Sequence, residues 1–256
     1  MRLERQDQIG VLFIDTDRNN SINDEFIREA HALMDEAEAD PAIRALVVTS
    51  SHKSIFCPGV DLPSLMGRSG PEMRAFYAAL TGIVRRKVGY PKPEVYALNG
   101  HCVAGGCMMA LAGDYRVMAK GRCLFGMMEL DVGLAAPIGI VEMLRHFLGG
   151  RVAERVLFSG ERFSPDSALA LGLVDEVVEP EKLMERAFEQ ARLLAQKPAG
   201  GYRRLKRYSR QALAARMHSL DDAHLDELVD QWFSEETQRL VGAGVQRMKK
   251  PTAAPA

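Results

Sequence analysis

The sequence predicts an α/β protein whose strands are joined by helical crossovers, and three observations carry that expectation. Short apolar, partly β-branched runs recur, bounded by polar or turn residues, as buried strands are. Between them, apolar residues fall at helical spacing. The length of 256 residues, 47% of them hydrophobic, is enough to bury a substantial core beneath both kinds of element. On these features alone a Rossmann sheet and a spiral remain equally open.

Val11-Leu12-Phe13-Ile14 is the first strand expected. Asn23 then offers an N-cap, and Asp24 and Glu25 put acidic charge in a first helical turn. Phe26, Ala30, Leu33 and Ala37 form the inward stripe of that helix, which Pro41 ends. Ala45-Leu46-Val47-Val48 and Val95-Tyr96-Ala97-Leu98 are further buried strands.

Residues 95–113 carry no formal charge, which approaches the roughly 18 apolar residues of a membrane span. Asn99-Gly100-His101 and Gly105-Gly106 interrupt them, so a buried strand, a turn and a helix through Cys107-Met108-Met109-Ala110-Leu111 are expected instead. Ser164-Pro165 reads as an N-cap followed by Pro at the first helical position. Pro198-Ala199-Gly200-Gly201 reads as the joint before the final helices, dividing a core of residues 1–197 from a C-terminal helical region, 198–256. From Lys249 onward the sequence reads as a frayed tail.

A net charge of −1 gives no general attraction to nucleic acid or to an anionic membrane, so neither is an expected partner. Any anionic ligand must be held by local groups. Arg2, Glu4, Arg5 and Asp7 stand where a signal peptide needs its apolar run. Cys57, Cys102, Cys107 and Cys123 lack the paired spacing of a zinc site. Reduced thiols in a cytoplasmic protein without a metal are the expectation.

Three segments hold the candidate chemistry. They are Phe56-Cys57-Pro58-Gly59-Val60-Asp61, Asn99-Gly100-His101-Cys102-Val103-Ala104-Gly105-Gly106-Cys107 and Phe125-Gly126-Met127-Met128-Glu129-Leu130-Asp131-Val132-Gly133. In the last, Glu129 is expected at a strand end, among apolar neighbours that disfavour its ionised form and poise it as a general base. Taken alone, the Gly105-Gly106 step would equally serve a tight turn or close packing.

Together the segments resemble the crotonase superfamily, the enoyl-CoA hydratase/isomerase group, in its Phe-x-x-Gly-x-Asp, Asn-Gly-x-x-x-Gly-Gly and Gly-x-x-Glu motifs. The resemblance begins at Asp17-Arg18 and Asn23 and continues through Ala168-Leu169-Ala170-Leu171-Gly172-Leu173-Val174-Asp175. It implies a spiral of stacked ββα turns followed by a C-terminal helical trimerisation region, and a homotrimer or hexamer as the assembly. It also implies an acyl-CoA substrate and no separate cofactor, since CoA enters as part of the thioester.

By the same resemblance, the backbone N–H groups of Val60 and Gly105 form an oxyanion hole, where preorganised donors carry the developing enolate charge. Glu129 is the implied catalytic residue. Hydratases of the superfamily carry a second Glu after the Gly-Gly-Cys step, where this sequence has Met108, and a thioether neither gives nor takes a proton. That departure is similar to the Δ3,Δ2-enoyl-CoA isomerases, in which one carboxylate moves a proton from C2 to C4. The alternatives are another crotonase reaction (hydration, hydrolysis or decarboxylation) and a non-catalytic acyl-CoA-binding or scaffold protein.

Substrate contacts are implied for Arg18, Phe56, Pro58, Asp61, Leu62, Met108 and Lys206, while Pro63 replaces a Lys found in the family. Asp131 is expected to anchor its loop, and His101 to act in positioning. Met66, Met73, Met108, Met109, Met127, Met128 and Met143 suit either an adaptable acyl pocket or plain core packing.

Overall fold

A computed structural model describes residues 1–16 and 19–249. The chain opens with an antiparallel hairpin of β1 (Arg2–Gln6) and β2 (Ile9–Ile14). Helix α1 (Asp24–Ala39) follows, capped by the Asn23 side chain, which accepts the Phe26 N–H at 2.9 Å. Its buried stripe runs through Phe26, Ile27, Ala30, Met34 and Ala37, so the inward face is centred on Met34 and the expected Leu33 is half-buried. Asp40, held extended before Pro41, stops the helix.

One pattern then repeats. Strand β3 (Ala45–Ser50) leads to a short strand, β4 (Ile55–Cys57), and to helices α2 (Leu62–Leu65) and α3 (Gly70–Val88). Strand β5 (Glu94–Leu98) leads likewise to β6 (His101–Val103) and α4 (Gly105–Ala112). Strand β7 (Tyr115–Ala119) leads to β8 (Phe125–Gly126), a 3-10 turn at Glu129–Val132, and helices α5 (Ile138–Leu148), α6 (Gly150–Ser159) and α7 (Pro165–Ala170). Strand β9 (Glu176–Val178) precedes α8 (Leu183–Ala195), α9 (Ala199–Trp232) and α10 (Glu235–Lys249).

One sheet has the order β1-β2-β3-β5-β7-β9, parallel beyond the hairpin, and the short strands β4-β6-β8 form a second parallel sheet. Each coil therefore contributes one strand to each sheet. This is the expected ββα spiral, not a Rossmann sheet.

Both faces of the main sheet are covered, so β3 and β5 are buried at every residue. Alternation along the strands sends Leu46 and Val48 into the large core, and Ala45 and Val47 against Ala187, Ala191 and Ala195 of α8. The uncharged stretch 95–113 forms two strands and the eight-residue α4, and among the described residues no helix is long and apolar enough to cross a membrane. None of the four cysteines is in a disulfide.

The 34-residue α9 extends about 50 Å at 1.5 Å per residue and packs along α3 and α5. It begins at Ala199 with Pro198 as its cap, so Gly200 and Gly201 lie inside the helix instead of forming the expected joint. Asp114, which follows α4, pins it: its Oδ2 accepts Lys206 Nζ at 2.6 Å and the Glu94 N–H at 2.8 Å, and Arg210 reaches its Oδ1 at 3.1 Å. The expected tail, beyond Lys249, lies outside the described residues.

Candidate active site

Each coil of the spiral delivers one piece of the site just after its short strand: Val60 after β4, Gly105 after β6, and Glu129 after β8. The parallel pairing of β4, β6 and β8 brings the three pieces to the same side of the small sheet.

The Val60 loop is laid down by Ile22. The Ile22 N–H donates to Gly59 O at 2.8 Å and its carbonyl accepts the Asp61 N–H at 2.9 Å, a bridge that spans Val60 and leaves its own N–H out of the pairing. Gly59, at φ +98°, lies directly against the start of α4; a Cβ there would come within 2.7 Å of Ala104 Cβ and 3.2 Å of Gly105 N.

Ala104 caps α4 with φ +49° and ψ −127°, a conformation L-residues rarely adopt, costing roughly 1–3 kcal/mol. Its carbonyl accepts the Met108 N–H at 3.0 Å. Gly105 N–H, at the first position of the helix, has no partner within it. Among the described residues neither the Val60 nor the Gly105 N–H donates to another group, so two free donors sit side by side at the positive end of a buried helix.

The two glycines of the step differ. A Cβ on Gly105 would meet only the mobile end of Ile22 at 2.7 Å, whereas one on Gly106 would lie 2.3 Å from the Cys57 carbonyl oxygen. Close packing is thus the role of Gly106.

Glu129 stands at the head of the 3-10 turn, three residues beyond β8 and not on a strand end as expected. The turn closes through Asp131 N–H to Met128 O at 3.1 Å and Leu134 N–H to Glu129 O at 3.0 Å. Burial raises the Glu129 carboxyl to a pKa of about 7, while the N–H groups of Glu129 and Met128 pull the other way and the Asp131 charge adds a small upward push. The Cys107 thiol, in the first turn of α4, is pushed up by its own burial and then by the Glu129 charge.

Asp131 is exposed and turned toward Gly160, because two residues along a 3-10 turn do not share a face. His101 is half-buried in β6, its N–H on Ser54 O at 2.9 Å.

Of the expected substrate contacts, Pro58 and Asp61 are half-buried beside Val60. Phe56 is fully buried, its ring 6.0 Å from that of Tyr96, so its side chain packs in the core. Lys206 is corrected: it is buried in its pair with Asp114 and is not free to meet a phosphate. Leu62 and Met108 are buried, and Met108 packs in the core at 2% exposure. Arg18 lies outside the described residues. Among the methionines, Met73, Met109, Met127 and Met143 are core residues, Met128 is half-buried and Met66 exposed. A cleft of about 440 Å³ lined by Arg44, Lys92, Lys197 and Tyr202 lies at the foot of α9, and none of its residues belongs to the three segments.

Sequence reasoning missed three supports of the site: Ile22, Ala104 and Thr237. The Thr237 hydroxyl, from α10, donates to Gly133 O at 2.8 Å, and Gln231 Oε1 accepts the Ala135 N–H at 3.0 Å. Nothing local to Thr237 announces a partner about a hundred residues upstream.

The family profile described as "Enoyl-CoA hydratase/isomerase" matches residues 4–249. The human protein "Enoyl-CoA delta isomerase 1, mitochondrial" is 31% identical over 232 residues, covering 90% of this chain and 77% of that protein. "Short-chain-enoyl-CoA hydratase" of Clostridium acetobutylicum is 28% identical over 242 residues, covering 93% and 90%. Among solved structures, that of human mitochondrial delta3-delta2-enoyl-CoA isomerase superposes with a TM-score of 0.94 at 29% identity, covering 98% of this chain and 99% of that one.

Proposed function

The chain belongs to the enoyl-CoA hydratase/isomerase family, and on that premise we propose that it is a Δ3,Δ2-enoyl-CoA isomerase, moving a double bond of an unsaturated fatty acyl-CoA from C3 to C2. One observation carries the choice of reaction: Glu129, whose charge reaches Cys107 in the first turn of α4, is poised near neutral pH, while the position that would hold a second catalytic carboxylate is the buried thioether of Met108.

In this reading the thioester oxygen lies between the Val60 and Gly105 N–H groups. Glu129, ionised, takes a proton from C2. The C–H electron pair forms the C1–C2 double bond as the carbonyl pair moves onto oxygen, giving a dienolate held by the two donors. The protonated Glu129 then returns the proton to C4, the C2–C3 double bond forms, and the carbonyl is restored. No atom is gained or lost, and no cofactor beyond the CoA of the substrate is needed. A pKa of about 7 suits a group that must act as base and then as acid in one turnover. An apolar side chain at position 108 gives water no partner and protects the dienolate.

The hydratase among the relatives marks the competing reaction. Incubating the protein with 3-enoyl-CoA and 2-enoyl-CoA of several chain lengths, and weighing the products, separates the two. Isomerisation without mass change, much faster than addition of water, is expected. Hydration at an equal or greater rate would overturn the proposal, and tight binding without turnover of either substrate would make the protein an acyl-CoA binder.

A further inference from the structure

We propose that Ala104 is a positioning residue, whose strained backbone and methyl group together set the direction and separation of the two oxyanion donors. The proposal rests on the reading that the Val60 and Gly105 N–H groups hold the thioester oxygen.

Direction follows from the peptide plane. The Ala104 carbonyl and the Gly105 N–H belong to one planar trans unit and point opposite ways. Because the carbonyl is drawn into α4 by the Met108 N–H at 3.0 Å, the Gly105 N–H must face outward from the start of the helix. The preceding peptide is fixed as well, since the Ala104 N–H donates to Gly126 O at 2.8 Å. With both ends anchored, the chain meets the geometry only by taking φ +49° at Ala104.

Separation follows from the methyl. Ala104 Cβ would lie only 2.7 Å from a Cβ on Gly59, so it stands against Gly59 Cα, one bond before the carbon that carries Val60 N. The methyl is therefore a spacer between the two donor segments.

The residue type supports this. The other non-glycine residues at positive φ among those described are Asp7 and Asn20, types that tolerate such conformations. Glycine would relieve the strain at position 104, so stability of the turn by itself favours glycine there. An alanine held against that preference, between two free donors, is explained by what its methyl touches.

The test compares Ala104→Gly with Ala104→Ser, which keeps a Cβ. One readout is turnover of 3-enoyl-CoA. The other is enolisation of a bound 3-oxoacyl-CoA, whose enolate absorbs in the near ultraviolet and reports the donors directly, without turnover. Ala104→Gly is expected to fold with a Tm within a few degrees of the parent and a nearly unchanged KM. Its kcat should fall roughly tenfold, a fraction of the loss expected for a whole oxyanion donor. The pH at which the bound 3-oxoacyl-CoA enolises should rise by about one unit, the same tenfold factor. Ala104→Ser should stay near the parent on both readouts.

Unchanged kcat and enolisation in Ala104→Gly would overturn the proposal. So would a parent protein on which the probe enolises no more readily than in water. If the parent fails to isomerise 3-enoyl-CoA yet promotes enolisation and Ala104→Gly weakens it, the isomerase reading falls and the role of Ala104 stands.

Discussion

Thr237 Oγ1 lies 2.8 Å from the carbonyl oxygen of Gly133, a contact that joins the last helix of the chain to the turn headed by Glu129. Gly133 takes a left-handed conformation, φ +72°, to close that turn, and a Cβ on it would meet Thr237 Oγ1 at 3.2 Å and Leu240 Cδ1 at 3.1 Å. The Glu129 turn is thus held from outside, by a helix about a hundred residues later in sequence.

Thr237→Val should leave the Gly133 carbonyl without its partner while keeping the side-chain volume. A loss of about 1 kcal/mol is expected for a partly buried acceptor that loses its hydrogen bond, with Tm lower by a few degrees. Turnover should fall more than ligand affinity, because the turn carries the base. Calorimetry and steady-state kinetics check both; an unaltered Tm and kcat would mean that other contacts hold the turn.

Glu129→Gln should keep acyl-CoA binding and lose turnover by roughly 100- to 10,000-fold. In the parent, kcat/KM should rise with pH through about 7, as the base ionises. Stability moves the opposite way. A carboxyl raised from 4.5 to about 7 by folding binds more protons in the native state, so its ionisation destabilises the fold progressively across that window. Glu129→Gln should therefore match the parent in stability below about pH 4 and exceed it at pH 8, by up to roughly 3 kcal/mol. Parallel denaturation curves at the two pH values test the sign; a variant less stable than the parent at pH 8 would refute it.

Lys206→Met should destabilise the fold by about 3 kcal/mol, the low end for breaking a buried ion pair, because Arg210 still reaches Asp114. CoA affinity of the folded variant should be unaffected. A selective loss of affinity, measured by titration calorimetry, would restore Lys206 to the ligand site.

Gly106→Ala should cost at least about 1–3 kcal/mol, since its Cβ would press on the Cys57 carbonyl oxygen at 2.3 Å. Gly105→Ala displaces only the Ile22 methyl and should leave stability nearly intact while lowering kcat. Equal effects of the two substitutions on Tm would contradict this division of roles.

Met108→Glu should raise the share of hydration over isomerisation, by placing a proton-transfer group where the thioether now stands. The gain is expected to be small, because a carboxyl at a site only 2% exposed favours its protonated form. Product masses from 2-enoyl-CoA measure it, and an unchanged product ratio would show that position 108 does not control water.

The elements legible in the sequence were those whose patterns are local. Strands β2, β3 and β5 declare themselves as apolar runs because both of their faces are buried, and the caps Asn23 and Ser164 mark their helices through the hydrogen bonds seen in the structure. The strands β6 and β8, three and two residues long, are too short for any periodicity to register. Lys206 shows the other limit: the resemblance implies a substrate contact, and its partner Asp114 lies 92 residues away. Glu129 is readable as a residue amid apolar neighbours, but its 3-10 turn is also held by α10, which is not visible from the motif itself.

The ββα spiral also fixes an order of completion during synthesis. Chains emerge from the ribosome from the N-terminus, and the coils that deliver Val60 and Gly105 precede the one that delivers Glu129. Thr237 leaves last. A nascent polypeptide ending before α10 would hold Val60, Gly105 and Glu129, yet lack the outer brace on the Glu129 turn, so the turn would gain that brace only after Thr237 had been translated.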